Sequence, residues 1–369
     1  MTTSIYTGKM AYGLIGKETT YGTAVTANRD FGLLQSVSTT ENNNLLREYS
    51  LGSANAQQIT AGKYDVSHSI EFMMQHGRIL TYILGTENSS SPSTSSSDRM
   101  HYWTGTAGTT DLSDSPPSFT FECGLNETTD IVKKFPGSVI TSASISLGVD
   151  SILKCSADIS SRTVDASTTT ASASVIDDLP LFSGFTGAVK IGAAGSEVEL
   201  ANVQSFALTF NNYAGGEAKL WNIGSRLPQK ALSVNRSIDF KYTVALRKSS
   251  DYAFNTAGGE DTLLDSWGEY IRFLAGSAVT APTSTTDVAA TSVILEADNG
   301  VAWGSGQRKF GIQLAGVKYT SMSTPIEISG YIVADISGFA TNIGPGTTVN
   351  TVGNTACYWV DDITAAYGT

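Results

Sequence analysis

The chain has 369 residues, 41% of them hydrophobic, and a formal net charge of −11, enough apolar material for one large core or two of ordinary domain size. With 34 acidic against 23 basic side chains and no Lys or Arg cluster, it lacks the cations that displace counterions from phosphates, which excludes a tight nucleic-acid reader. No apolar run reaches the roughly 18 residues that span a bilayer, and Met1 to Gly8 lacks the basic and apolar regions of a signal peptide, so synthesis in a cytoplasm without a membrane partner is expected.

Only 15% of residues are charged, while Val, Ile, Phe and Tyr recur in short alternating runs among many Ser, Thr, Ala and Gly, the usage of pleated strands joined by turns. In chain order, Val66, Ile70 and Phe72 share one face of a strand whose polar face carries Ser67, Ser69 and Glu71. Ile79, Leu80, Ile83 and Leu84, spaced by three and four and stopped by Gly85, predict a helix with a glycine cap. The Ser/Thr/Pro-rich stretch from Asn88 to Asp98 reads as a long mobile loop. Two further strands follow, one with Val139, Thr141, Ala143, Ile145 and Leu147 inward, the other with Leu153, Cys155, Ala157 and Ile159 inward. The unpatterned run Thr163 to Ser174 begins a connection.

The second half repeats the first. Gln35, Ser36, Val37, Thr40, Asn42 and Asn43 return as Gln204, Ser205, Phe206, Thr209, Asn211 and Asn212, an offset of 169 residues (204 − 35). Leu51, Gly52, Ser53 returns as Ile223, Gly224, Ser225, and Val66, Ser69, Ile70, Glu71, Phe72 as Val234, Ser237, Ile238, Asp239, Phe240. A second helix is predicted through Leu263, Leu264, Trp267, Ile271 and Leu274 to Gly276, followed by a second mobile loop from Thr280 to Asp287. A strand with Ile326, Ile328, Gly330, Ile332, Ala334 and Ile336 inward closes the series, its Ala334 to Ser337 matching Ala157 to Ser160. The expected architecture is all-β with minor α: two tandem β-barrel or sandwich units, residues 1–178 and 179–369, each with one flanking helix.

An acidic residue recurs at matching positions in both halves: Glu71 with Asp239, Glu122 with Glu296, and Asp158 with Asp335. Solvated strand charge is the plain explanation; a ring of negative charge around a lumen, repelling phosphates so that a duplex slides, is the functional one. No chemistry competes with it. His68, His76 and His101 have no metal-ligand spacing, and Cys123, Cys155 and Cys357 read as small buried hydrophobes. The glycine stretches lack the ending of a phosphate loop, the five tryptophans are scattered, and no catalytic constellation or cofactor site is found.

The opening Gly16, Lys17, Glu18, Thr19, Thr20, Tyr21, Gly22, Thr23, then a strand, a Gly-Ser turn, the block Val66 to Phe72 and a helix, resembles the tail tube proteins of tailed phages and related viruses. The second half resembles them again in Val203 to Asn212, in Gly224, Ser225, Arg226 and in Val234 to Phe240. The resemblance implies a structural, non-enzymatic subunit of the virion tail, assembled in the host cytoplasm into stacked rings around a channel for genome ejection. Its implied partners are further copies of itself, a tape measure protein and double-stranded DNA in the lumen without tight binding, a tail terminator, and baseplate or tip proteins. Loops around Asn88, Asp98, Thr280 and Asp287 are the expected ring-stacking elements. Two units per chain would fill two ring positions, so a homotrimer closes a pseudo-sixfold ring. A virion adhesin or receptor-binding β-sandwich is the competing expectation.

Overall fold

The computed structural model describes residues 11–85, 87–90, 99–103, 116–125, 131–167, 180–192, 197–200, 202–213, 219–231, 235–246, 291–303, 306–326, 332–343 and 357–361. In the first half these form β1 (Ala11–Lys17), β2 (Leu33–Asn42), β3 (Leu46–Glu48), β4 (Gln58–Thr60), β5 (Asp65–Met73), α1 (Arg78–Leu84), β6 (Asn88–Ser90), β7 (Arg99–Trp103), β8 (Phe119–Leu125), β9 (Ile131–Gly148), β10 (Lys154–Ser161) and β11 (Asp165–Ser167). The second half contributes β12 (Gly187–Gly192), β13 (Val198–Glu199), β14 (Val203–Asn211), β15 (Lys219–Leu220), β16 (Lys230–Ala231), β17 (Ser237–Ala245), β18 (Thr291–Trp303), β19 (Gly306–Ser323), β20 (Val333–Ala340), β21 (Asn342–Ile343) and β22 (Cys357–Asp361). The protein is all-β with minor α, and among the described residues every strand pairing is antiparallel.

Eight strands run side by side in the order β2, β5, β10, β9, β14, β17, β20, β19. The first four belong to the first half and the last four to the second, and both sets follow one connection order. The junction is β9 against β14, through Ser142–Asn211, Ser144–Thr209, Ser146–Ala207 and Gly148–Ser205. Alternation explains one dry and one wet face: β5 and β17 share the burial pattern of every second residue inside. The strands β9 and β19, 18 residues each, are long enough to serve two sheets. Their first parts leave the eight-stranded run, β9 to pair with β8 and β11 and β19 with β18 and β22, while β1 and β12 flank β8 and β18 in the same way.

Between these layers lies one continuous hydrophobic cluster drawn from both halves, with Phe72, Ile145, Phe121 and Phe135 from the first and Leu208, Phe240, Leu295 and Phe310 from the second. The halves are further tied by β7, which pairs with β22. The predicted helix is present as α1, buried throughout and ended at Gly85, where φ is +106°. Its C-terminal end is held to the second half: Asn212, fully buried, donates from Nδ2 to the carbonyls of Ile83 (3.2 Å) and Ile140 (3.3 Å), and Arg236 donates to Asn212 Oδ1 at 2.9 Å.

Several expectations are corrected. Asn88 opens strand β6 and is not loop, because residues 88–90 find ladder partners in Met100–Tyr102. Asp165–Ser167, inside the expected connection, is a strand on β9. In β9 the inward series slips at a bulge: Ile140 is fully buried, while Thr141 turns outward and donates to the Asp158 carbonyl at 3.0 Å. Ile326, expected inward, is exposed, and Ala334 and Ile336 of that expected series lie inward on β20. Two likenesses are out of register. Ile70 lies opposite Ala157, but its counterpart Ile238 lies opposite Ala340, six positions from Ala334. Ile70 also lies opposite Val37 while Ile238 lies opposite Phe210, so Ser36 and Val37 correspond in the ladders to Thr209 and Phe210, four positions beyond Ser205 and Phe206. The second predicted helix, the loop Thr280 to Asp287 with Asp98 of the first loop, and the boundary at 178 lie outside the described residues.

Candidate functional site: a polar sheet face between two open edges

The wet face of the eight-stranded sheet is paved with hydroxyls because Ser and Thr occupy alternate positions of nearly every strand. One row crosses it from edge to edge: Ser36, Glu71, Ser156, Ser144, Thr209, Asp239, Phe339, Lys318. Glu71 and Asp239 therefore stand at the same height, four strands apart, which is about 19 Å at the usual strand spacing. Asp158 and Asp335 share the face but not a row, since Asp158 lies opposite Ser69 and Asp335 opposite Thr243.

Charge on this face is nearly balanced. Lys154 bridges Glu71 at 3.1 Å and Lys241 bridges Asp335 at 3.1 Å, while Ser142 donates to Asp158 at 2.8 Å and Ser237 to Asp239 at 3.1 Å. The Thr243 hydroxyl at 2.6 Å, helped by Lys241, holds the Asp335 carboxyl below the usual range. With Asp65, which Lys219 bridges at the start of β5, and with Lys318 on β19, five carboxylates meet four ammonium groups, so hydroxyl is the dominant chemistry.

Glu122 and Glu296 do not belong to this face. Glu122 is fully buried in the flanking sheet, where Tyr12 donates to it at 3.0 Å and Lys134 lies 3.4 Å away. Glu296 has the same company in the second half, Lys190 at 2.6 Å and the Tyr358 hydroxyl at 3.0 Å. These two acids match each other as internal ion pairs; β8 and β18 are covered on both sides, which alternation alone does not reveal.

The histidines are all buried and hydrogen bonded. His68 joins Thr39 (2.9 Å) and Ser161 (3.0 Å), and burial, with the Lys219 charge adding to it, pushes its pKa down to about 3. His101 sits between Glu87 (2.6 Å) and Asp361 (3.4 Å). Burial would lower its pKa, but hydrogen bonds and charge from Asp361 and Glu87 prevail and raise it to about 9. His76 and Arg78 both contact Asp30, at 2.8 and 2.7 Å.

Which strands form the edges is what the periodic reading does not give. Among the described residues β2 pairs with β5 alone, and the part of β19 beyond Val317 pairs with β20 alone. Most of the ten residues of β2 are exposed, and so long an open edge is a surface for adding strands. Pattern reading finds faces, whereas an edge is known only once the order of strands is known.

An all-β chain whose described carboxylates are largely paired with lysines or hydroxyls, and whose long edges β2 and β19 carry no further strand among the described residues, has the build of a structural protein. A family model described as phage tail tube protein matches residues 8–264, and the chain belongs to that family. It is a structural tail tube subunit and a component of the virion tail. No curated protein matches it.

Proposed function

We propose that three chains close edge to edge into a pseudo-sixfold ring, β19 of each adding to β2 of the next, and that stacked rings form the channel for genome passage. The observation that carries this reading is the β9–β14 junction inside the chain. That joint connects the last strand of one four-stranded set to the first strand of another, and β19 and β2 are the corresponding strands left over. Following the cross-strand row, Lys318 occupies the place of Ser144, and Ser36 that of Thr209. The interchain joint should therefore set Lys318 opposite Ser36.

In such a ring the wet face lines the lumen, with six carboxylates from Glu71 and Asp239 at one height. The wall is mildly acidic and hydroxyl-rich, not strongly negative, because Lys154, Lys241 and Lys318 share it. Few unpaired cations means little counterion release, so DNA and a tape measure protein pass without adhering. A terminator and a baseplate or tip protein would meet the two ends of the tube.

The test is a cysteine pair, Ser36→Cys with Lys318→Cys, in a chain that also carries Cys123→Ser, since Cys123 is partly exposed whereas Cys155 and Cys357 are fully buried. Ser144→Cys with Thr209→Cys serves as the internal control. Mild oxidation of assembled protein should give covalent trimers for the first pair and only monomers with an internal disulfide for the second. Tubes seen by electron microscopy that remain monomeric on a denaturing gel would mean that another pair of edges closes the ring.

A further inference from the structure

The loops joining β2 to β5 and β14 to β17 fold into the same hairpin, a match that strand alternation does not require. In the first arm Ser53 N–H donates to the Ser50 carbonyl (3.3 Å) and Gln57 N–H to the Glu48 carbonyl (2.9 Å). The second arm repeats both, Ser225 to Asn222 (3.2 Å) and Gln229 to Leu220 (2.9 Å). The hydroxyl of Ser53 donates to the Asn55 carbonyl at 2.9 Å, and that of Ser225 to the Leu227 carbonyl at 2.8 Å. The turn glycines, Gly52 and Gly224, have φ of +85° and +91°, a region that favours glycine. A constant offset of 172 residues (224 − 52) relates the two and sets Arg47 against Lys219 and Tyr49 against Trp221.

Only the second arm is seated. It lies across the first unit, where Lys219 donates to Asp65 and to the Val66 carbonyl. Arg226 donates to the Gly62 carbonyl and to Asn43, and its own carbonyl accepts from Tyr64 N–H at 2.9 Å. Lys63 covers the Trp221 ring at 5.4 Å. The first arm has no such seat among the described residues, and Leu45, Leu46, Tyr49 and Ile59 are each more than half exposed. That much apolar surface on one short hairpin marks an interaction site.

We propose that the β3–β4 arm of one chain lies across the second unit of the neighbouring chain, as the β15–β16 arm lies across the first unit of its own. The occupant is a second copy of this chain, and the receiving surface is the end of β14–β17 where Asn211 pairs with Ser237. That end corresponds to the Asn42–Asp65 end of β2–β5, on which the second arm already rests. This inference rests on the ring proposed above, and around that ring the arms form an unbroken belt, each on the base of the one before.

A photoreactive benzoylphenylalanine at Tyr49, in assemblies of mixed light and heavy isotope-labelled full-length chains, tests the contact directly. Adducts joining position 49 to residues 211–246 of a different chain are expected, and only after assembly. Adducts within one chain, or to the first unit of another, overturn the proposal. A second variant, Leu46→Ser with Ile59→Ser, alters exposed positions and should melt like the parent as a monomer. In the Ser36→Cys, Lys318→Cys background it should lower covalent trimer yield about tenfold, as loss of an interface anchor does, and an unchanged yield counts against the arm. Absence of trimers in the parental cysteine chain overturns the ring and the arm together. Trimers without the position 49 adduct overturn the arm alone.

Discussion

The residue that best shows how local and distant sequence combine is Glu18. Its carboxylate is buried and accepts four hydrogen bonds, from Gly22 N–H (2.9 Å), Ser118 (2.8 Å), Thr120 (2.9 Å) and Gly137 N–H (2.8 Å). The motif Gly16 to Thr23 was visible in the sequence, but three of these donors lie about a hundred residues away, so the role was not. The histidines are a similar case: the sequence showed only that they lack a ligand spacing, whereas their burial and the opposite titrations of His68 and His101 depend on neighbours from other strands. His101, with its pKa raised to about 9, favours the fold fully below about pH 6.5, and this contribution of roughly 3 kcal/mol at most is lost as pH rises through 9. His68, with its pKa pushed down to about 3, favours the fold above about 6.5 and loses that preference as pH falls towards 3. Urea midpoints measured across pH should therefore fall on both sides. A His101→Gln variant is expected to flatten the alkaline side alone, and an unchanged alkaline slope would assign that loss to other groups.

At the scale of elements, alternation found the faces of β5, β10 and β17 and the periodicity of three and four found α1. It failed where a strand breaks its own rhythm, as at Thr141, and where a strand is defined by its partner, as for the short β6 and β11. It also matched Ala157–Ser160 with Ala334–Ser337, four similar residues that the ladders place six positions out of step. Short polar-apolar words recur by composition in a serine-rich chain, and only cross-strand pairing says which recurrence is structural. The seat of α1 is a sharper case, because Asn212 was noticed as a repeat residue and turns out to satisfy two carbonyls, at Ile83 and Ile140. Asn212→Ala removes the donor to the Ile140 carbonyl and one of two to that of Ile83, which also accepts from Arg236 at 3.2 Å. It also removes an acceptor from Arg236, for a total loss of about 1–3 kcal/mol for buried polar groups. A drop of that size in unfolding free energy is expected, and a change under about 0.5 kcal/mol, the range of ordinary surface substitutions, would show that α1 is held by apolar packing instead.

The whole molecule carries a net charge of −11, but its wet face does not concentrate it. Sequence counting gave the sign of the chain; the ladders give its placement, with the Glu122 and Glu296 charges turned inward to Lys134 and Lys190. If that face lines a channel, its indifference to DNA is a balance that can be tipped. Asp158 is exposed and receives a hydroxyl hydrogen bond from Ser142, and Asp158→Lys would exchange three carboxylates per ring for three cations. Tubes of this variant should retain duplex DNA at low ionic strength and release it as salt rises. Wild-type tubes should retain none at either salt, and equal behaviour of the two would place Asp158 away from the path of the DNA.

In the proposed ring, the joint between β9 and β14 would also change the kinetics of building. Six separate wall units need five encounters before a ring can close, whereas three fused pairs need two, since every second joint is formed as the chain folds. The rate of starting a ring would then climb with about the third power of subunit concentration in place of the sixth. Nucleation in dilute conditions would thereby be faster, and any initiating complex would have fewer partners to gather before the first ring was complete.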